Sequence, residues 1–153
     1  MGKEVIERSF LILGGTGNVG KHVVSALAEG IKVPAKVFVG TRHPLSFPSK
    51  QINLPELVIE PVHCDLNCTK SVATTVTSAA ASSVFLCLPQ SLAPKDMEFV
   101  SNAVVDAAKK SGATRLVRIA SLGIDGSAGQ GQGALGDAHV ACEAPRGEYF
   151  SKN

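Results

Sequence analysis

The sequence predicts an α/β domain built as a doubly wound parallel sheet of about five strands in the order 3-2-1-4-5. Three observations carry this. Five short apolar runs alternate with stretches of helical periodicity, which is the pattern of right-handed crossovers. The first and fourth runs are nearly continuous in apolar residues, as strands covered on both faces are. A glycine-rich segment lies directly between the first run and the first helical pattern.

The expected strands are Ser9–Leu13, Lys36–Gly40, Leu57–Val62, Ser83–Leu88 and Leu116–Ala120, most of them rich in β-branched or aromatic residues. Between them, Val19, Val23, Val24 and Leu27 mark a helix over Asn18–Ala28, with Gly30 placed as its C-terminal cap. Val72, Ala73, Val76 and Ala80 give a weaker stripe over Thr69–Ala81. Phe99, Val100, Ala103, Val104 and Ala107 line one face of Asp96–Ser111, whose last turn carries Lys109 and Lys110 before Gly112. Arg42 to Pro55 holds three prolines and two serines and reads as an irregular connection. Residues 1–122 form the expected domain. Residues 123–153 read as a glycine-rich loop, a short helix over Asp137–Ala144 and a tail, since Ser121 to Gly136 alone contains six glycines.

Composition narrows the function classes. The chain has 153 residues, enough for one domain with a real core, and a net charge of +2 with no basic run, so nucleic acid is not an expected partner. No apolar stretch reaches the ~18 residues of a membrane span, and acids precede the first apolar run, which excludes a secretory signal. Cys87 sits within an apolar run, and no second Cys/His pair answers Cys64 and Cys68, so neither disulfides nor a metal site is expected. Four free thiols fit a reducing, cytoplasmic setting.

The chemistry is concentrated in Gly14-Gly15-Thr16-Gly17-Asn18-Val19-Gly20. A dinucleotide pyrophosphate needs amide donors at a helix N-terminus and no side chains in its way. Gly14 suits the sharp turn, Gly17 the approach of phosphate, and Gly20 close packing of helix on strand, while Thr16, Asn18 and Val19 supply neighbouring amides. The second strand ends in Gly40-Thr41-Arg42-His43-Pro44, with no acid to accept a ribose 2′-hydroxyl. Arg42 offers a planar fork for a 2′-phosphate, with Thr41 as a hydroxyl donor, and this favours NADP over NAD; a solvated surface arginine is the plainer alternative. Asp65 can meet the adenine amino group with Leu66 against the ring, or it can be a helix N-cap. Pro89 borders the expected nicotinamide ribose, or it simply ends its strand.

GGTGNVGKHVVSALAEG, the VGTRHP turn, CDL, VFLCLP and AVVDAAKKSGATRLVRIASLG together resemble the NmrA-like group of atypical short-chain dehydrogenases, over residues 8–144. The resemblance implies a Rossmann domain with Gly14, Gly17 and Gly20 at the pyrophosphate, Arg42 at the 2′-phosphate, and Asp65 and Leu66 near adenine. Its members include NADPH-dependent quinone and isoflavone-type reductases and NADP-binding regulators without catalysis. Ser121 matches the family's serine after the fifth strand, but Tyr149 is followed four residues on by Asn153, where a complete dyad has lysine. His139 and Glu143 share a helix face and either contact substrate or lie on a solvated surface. Members run to about twice this length, so the tail from Ala144 departs from the pattern and a truncated product is expected. The sequence therefore points to an NADPH-dependent oxidoreductase acting on a quinone or small carbonyl compound. An NADP-sensing module with a regulatory protein partner, or an inactive fragment, is the alternative.

Overall fold

The computed structural model describes residues 8–48 and 57–119. In chain order these are β1 (Arg8–Leu13), α1 (Gly20–Gly30), β2 (Ala35–Thr41), a short 3-10 turn at Pro44–Ser46, β3 (Leu57–His63), α2 (Thr69–Ala79), β4 (Ser83–Leu86), α3 (Pro94–Ser111) and β5 (Arg115–Arg118). All strand pairs are parallel, and the order is β3-β2-β1-β4-β5, as the sequence predicts.

Alternation along β1 explains why its run is apolar throughout. Leu11 and Leu13 face a core completed by Val72 and Val76 of α2, Val100 and Val104 of α3, and Val84, Leu86 and Leu116 of the sheet. Ile12 faces the opposite way, into a core with Val37, Val39, Leu57 and Val24 of α1. Both faces are covered, so no position of β1 in these layers is left for a polar side chain. Burying an aliphatic side chain of this kind contributes roughly 1.5–3 kcal/mol. Pro61 is tolerated because β3 is an edge strand, where one row of amides has no ladder partner to lose.

Several boundaries differ from the expectation, each for a local reason. β4 stops at Leu86 rather than Leu88 because its partner β1 ends at Leu13, the register mate of Leu86. Helix α1 starts at Gly20 instead of Asn18 and runs through Gly30; Ile31, in extended conformation, is the C-cap. Val19 thus precedes the helix and is exposed. Ala80 ends α2 in the left-handed region (φ 44°) and is exposed, outside the buried stripe of Val72, Thr75 and Val76. Helix α3 begins at Pro94, where proline's missing amide is no loss. Its buried stripe runs through Val100, Ser101, Val104, Val105 and Ala108. Phe99 falls on the flank, 53% exposed, with the Lys95 ammonium 5.8 Å from its ring. Gly112 (φ 80°) caps α3 by donating to Ala108 and Lys109, as expected.

Among the described residues no helix is long and apolar enough to cross a membrane, and no cluster of three His, Cys, Asp or Glu side chains could hold a metal ion.

Candidate functional site

Strand order places the site. From β1 the chain crosses one way to β2 and β3, then returns past β1 to β4 and β5. The crevice between the C-terminal ends of β1 and β4 is where connections diverge, and ligands of open parallel sheets bind at such a switch point.

The β1–α1 turn forms the floor of that crevice. Gly14 has φ 81°, and a β-carbon there would come 2.5 Å from the carbonyl oxygen of Cys87, so both backbone conformation and space require glycine. The Gly17 amide donates to Gly14 O at 3.1 Å, and Gly17 O accepts from the Lys21 amide at 3.1 Å, which turns the chain into α1. Gly20 is buried, and a β-carbon on it would overlap the carbonyl of Gly14 and reach within 2.6 Å of Gly15 Cα. Gly15, to which sequence reasoning gave no role, is also constrained: its β-carbon would lie 2.5 Å from Val39 Cγ1. The doubled glycine was the available signal.

Gly17 behaves differently. Its backbone is not left-handed, and an added β-carbon would meet only Gly14 O, at 3.3 Å. Thr16, Gly17, Asn18 and Val19 are all exposed, and among the described residues none accepts a hydrogen bond from the amides of Thr16, Asn18 or Val19. Bare backbone with open donors at a helix N-terminus suits a phosphate or pyrophosphate.

At the end of β2, Thr41 is 6% exposed, and its Oγ1 accepts the His43 amide at 3.2 Å. Its hydroxyl oxygen therefore helps hold the turn, and its O–H has no acceptor among the described residues. Arg42 is exposed and forms no ion pair or hydrogen bond with a described residue. Gly40 through Pro44 contains no acid.

After β3, the Asp65 amide donates to Ser71 Oγ at 3.0 Å, while Asp65 Oδ1 accepts the Asn67 amide at 3.0 Å and Asn67 Nδ2 at 3.3 Å. The N-cap of α2 is Cys68, four residues after Cys64, so Asp65 closes an Asx turn and is not the helix cap. Leu66 is partly buried against the larger core and keeps some surface for a planar ring. Burial pushes the Cys64 thiol above its usual value, offset in part by Thr75 and reinforced by the nearby Asp65 and Cys68. Burial raises the Cys87 thiol in the same direction.

Cys87, which opens the segment Cys87-Leu88-Pro89, lies against Gly14. The Cys87 amide donates to Leu13 O at 3.1 Å, tying this segment to β1 beyond the end of β4, and Pro89 O accepts the Leu92 amide at 3.1 Å. The structure thus brings Gly14 and Gly17 together with Cys87 at the switch point, with Pro89 two residues further along the chain and Arg42 and Asp65 just past the ends of the adjacent strands. Ser121, His139 and Glu143 lie outside the described residues.

Residues 14–142 match the family described as NAD(P)H-binding. No curated protein matches the chain in sequence. Among solved structures, the chain is similar to Citrobacter sp. triphenylmethane reductase complexed with NADP(H), at 19% identity and TM-score 0.69, over 92% of this chain and 46% of that one. It is similar to a wide-type short-chain dehydrogenase/reductase from Veillonella parvula in complex with NADP, at 14% identity and TM-score 0.61, over 95% and 66%. The enzyme WbmH from Bordetella bronchiseptica, in complex with NAD+, is similar at 18% identity and TM-score 0.63, over 95% and 53%. The chain spans about half the length of the first two of the solved structures it resembles, 46% and 47%.

Proposed function

The chain belongs to the NAD(P)H-binding family, and from that premise we propose that it binds NADP(H) in preference to NAD(H), as an oxidoreductase of NmrA-like type acting on a quinone or small carbonyl compound. The observation that carries the cofactor preference is Arg42, exposed at the end of β2 with no carboxylate from Gly40 to Pro44. An acid there would repel a 2′-phosphate, whereas a guanidinium grips it with paired donors. The amides of the Gly14–Gly20 turn would hold the pyrophosphate, Leu66 would pack on adenine, and Pro89 would border the nicotinamide ribose. NADPH, when bound, supplies a hydride; the protein's part is to hold the cofactor and substrate in position.

A second reading is an NADP-responsive module without turnover. It is favoured by Tyr149, the only tyrosine, which has Asn153 four residues on in place of a lysine. NADPH oxidation with a panel of quinones and aldehydes separates the two readings.

The cofactor assignment is tested by titrating the protein with NADPH and NADH while following nicotinamide fluorescence. NADPH should bind roughly ten- to a hundredfold more tightly, the equivalent of one charge-assisted contact, and Arg42→Ala should remove most of that difference. Equal affinity for the two nucleotides in the unmutated protein would rule the assignment out.

A further inference from the structure

We propose that Thr41 is a positioning residue for the 2′-phosphate contact: it holds the turn that presents Arg42, and so helps set the preference for NADPH over NADH. The inference rests on the reading of Arg42 above and deepens it.

Thr41 is the last residue of β2 and is fixed on both sides. In the sheet it is the register mate of His63, and its carbonyl accepts the Cys64 amide at 2.9 Å. In the turn, its Oγ1 accepts the His43 amide at 3.2 Å. That bond closes a ring around a single residue, Arg42, in the manner of a Ser/Thr turn. Thr41 is 6% exposed, so water competes little for the bond. His43 leads straight into Pro44, whose fixed φ opens the 3-10 turn. The Ser46 and Phe47 amides close that turn on the His43 and Pro44 carbonyls at 3.1 and 3.2 Å, and Phe47 packs against the smaller core. The Arg42 backbone is thus pinned before and after, while its side chain stays exposed. Asp65 follows Cys64 directly, yet its Oδ1 accepts from Asn67 and it forms no ion pair with Arg42.

A guanidinium grips a phosphate with paired donors only when its stem starts from the right place and direction. Fixing the backbone in advance removes part of the ordering cost from the binding step. Without the Thr41 oxygen, the His43 amide loses its acceptor, and the peptide planes on either side of Arg42 are free to turn toward water. The loss falls on the one contact that NADPH makes and NADH lacks. A single bond of this kind corresponds to about a three- to tenfold change in an equilibrium.

The test measures dissociation constants for NADPH and NADH in the unmutated protein, Thr41→Val, Thr41→Ala, Thr41→Ser, Arg42→Ala and the combined Thr41→Val/Arg42→Ala variant. Valine keeps the shape and removes the oxygen, whereas serine keeps the oxygen. The NADPH/NADH affinity ratio should fall about three- to tenfold in Thr41→Val and Thr41→Ala, with NADH affinity unchanged, and recover in Thr41→Ser. In the Arg42→Ala background, Thr41→Val should change the ratio no further, because Thr41 acts through Arg42. A drop that persists in that background means that the hydroxyl donates to the nucleotide itself, and it overturns the positioning role. Affinities for both nucleotides that fall together, a serine variant as weak as valine, or a ratio unmoved by valine and alanine also overturn it. Each of these leaves the Arg42 reading standing where Arg42→Ala still lowers the ratio. A ratio of one in the unmutated protein sinks the Arg42 reading and this inference with it.

Discussion

At the N-terminal end of the sheet, side-chain hydroxyls close the backbone. The Ser82 amide donates to Ser9 Oγ at 2.9 Å, Ser82 Oγ donates to Ser9 O at 2.8 Å, and the Ser9 amide donates to Ser82 Oγ at 3.3 Å. Ser82 O in turn accepts the amides of Thr114 and Arg115 at 2.9 and 3.2 Å, and the Thr114 hydroxyl at 3.1 Å. At the C-terminal end glycines take the place of serines, and the amides of Thr16, Asn18 and Val19 have no acceptor among the described residues. One end has spent its donors on itself; the other has left them open. The sheet is thus locked at one end and bare at the other, the end proposed above to hold the nucleotide.

The largest effect should come from Gly20, where the two demands on the glycine turn meet. Gly20→Ala drives a β-carbon into the backbone of Gly14 and Gly15, atoms that cannot swing aside as a side-chain tip would. A loss of about 3 kcal/mol or more is expected in urea unfolding, together with loss of nucleotide binding. A variant with unchanged stability would show that α1 is not packed on β1 as closely as the turn implies.

Gly17→Ala sharpens the contrast within the same turn. Its β-carbon meets only one backbone oxygen, at 3.3 Å, so far-UV circular dichroism and the unfolding midpoint should change little. NADPH affinity should nevertheless fall by roughly tenfold or more, since the methyl stands where the phosphate approaches. Unaltered affinity in the folded variant would mean that the loop is only a turn.

At the opposite end the expectation reverses. Ser82→Ala removes a hydroxyl that donates to Ser9 O and accepts the Ser9 amide. Two part-buried groups lose a partner, at about 1–2 kcal/mol of stability, with NADPH affinity unchanged. A binding defect in Ser82→Ala would break the separation of the two ends.

How much of this could be read from the sequence follows the same division. The C-terminal end was legible because its determinants are contiguous: the glycine turn follows its strand directly, and Arg42 sits one residue past β2. The strand order was legible because both faces of β1 are buried, leaving a continuous apolar run. The serine lock was not legible, because Ser9 and Ser82 are 73 residues apart and neither belongs to a pattern. The bond from the His43 amide to Thr41 Oγ1 was not legible either, because a hydroxyl beside an arginine does not announce its burial or its place in the turn. The helical stripe already reads from Thr69, where α2 begins, but the choice of Asp65 as cap or adenine contact stayed open because its bonds to Asn67 depend on the fold of the turn. Phe99 reads onto the apolar face of α3 yet lies at its exposed edge, because spacing alone does not fix the centre of a helical stripe.

The smallest expected effect is at Cys64, which is 3% exposed just beyond the C-terminal end of β3 and packs in the larger core. Its thiol is raised above the ordinary value of 9.0, first by loss of solvent and then by the neighbouring Asp65 and Cys68, with Thr75 pulling the other way. A group whose folded pKa is raised binds its proton more tightly in the folded chain. Its contribution is therefore complete below the unfolded value and declines as pH rises from there through the folded one. Nothing should be seen between about pH 6 and 8, where the thiol is neutral in both states. Above about pH 9 the unfolded chain ionises Cys64 while the folded chain resists, and stability falls. Cys64→Ala should start lower at neutral pH because it leaves a small void, yet lose less than the unmutated protein on going to pH ~10. The measurement is urea unfolding of both proteins at the two pH values, under reducing conditions. Equal alkaline losses would show that Cys64 reaches solvent, and that the region behind Asp65 is as open as the glycine turn.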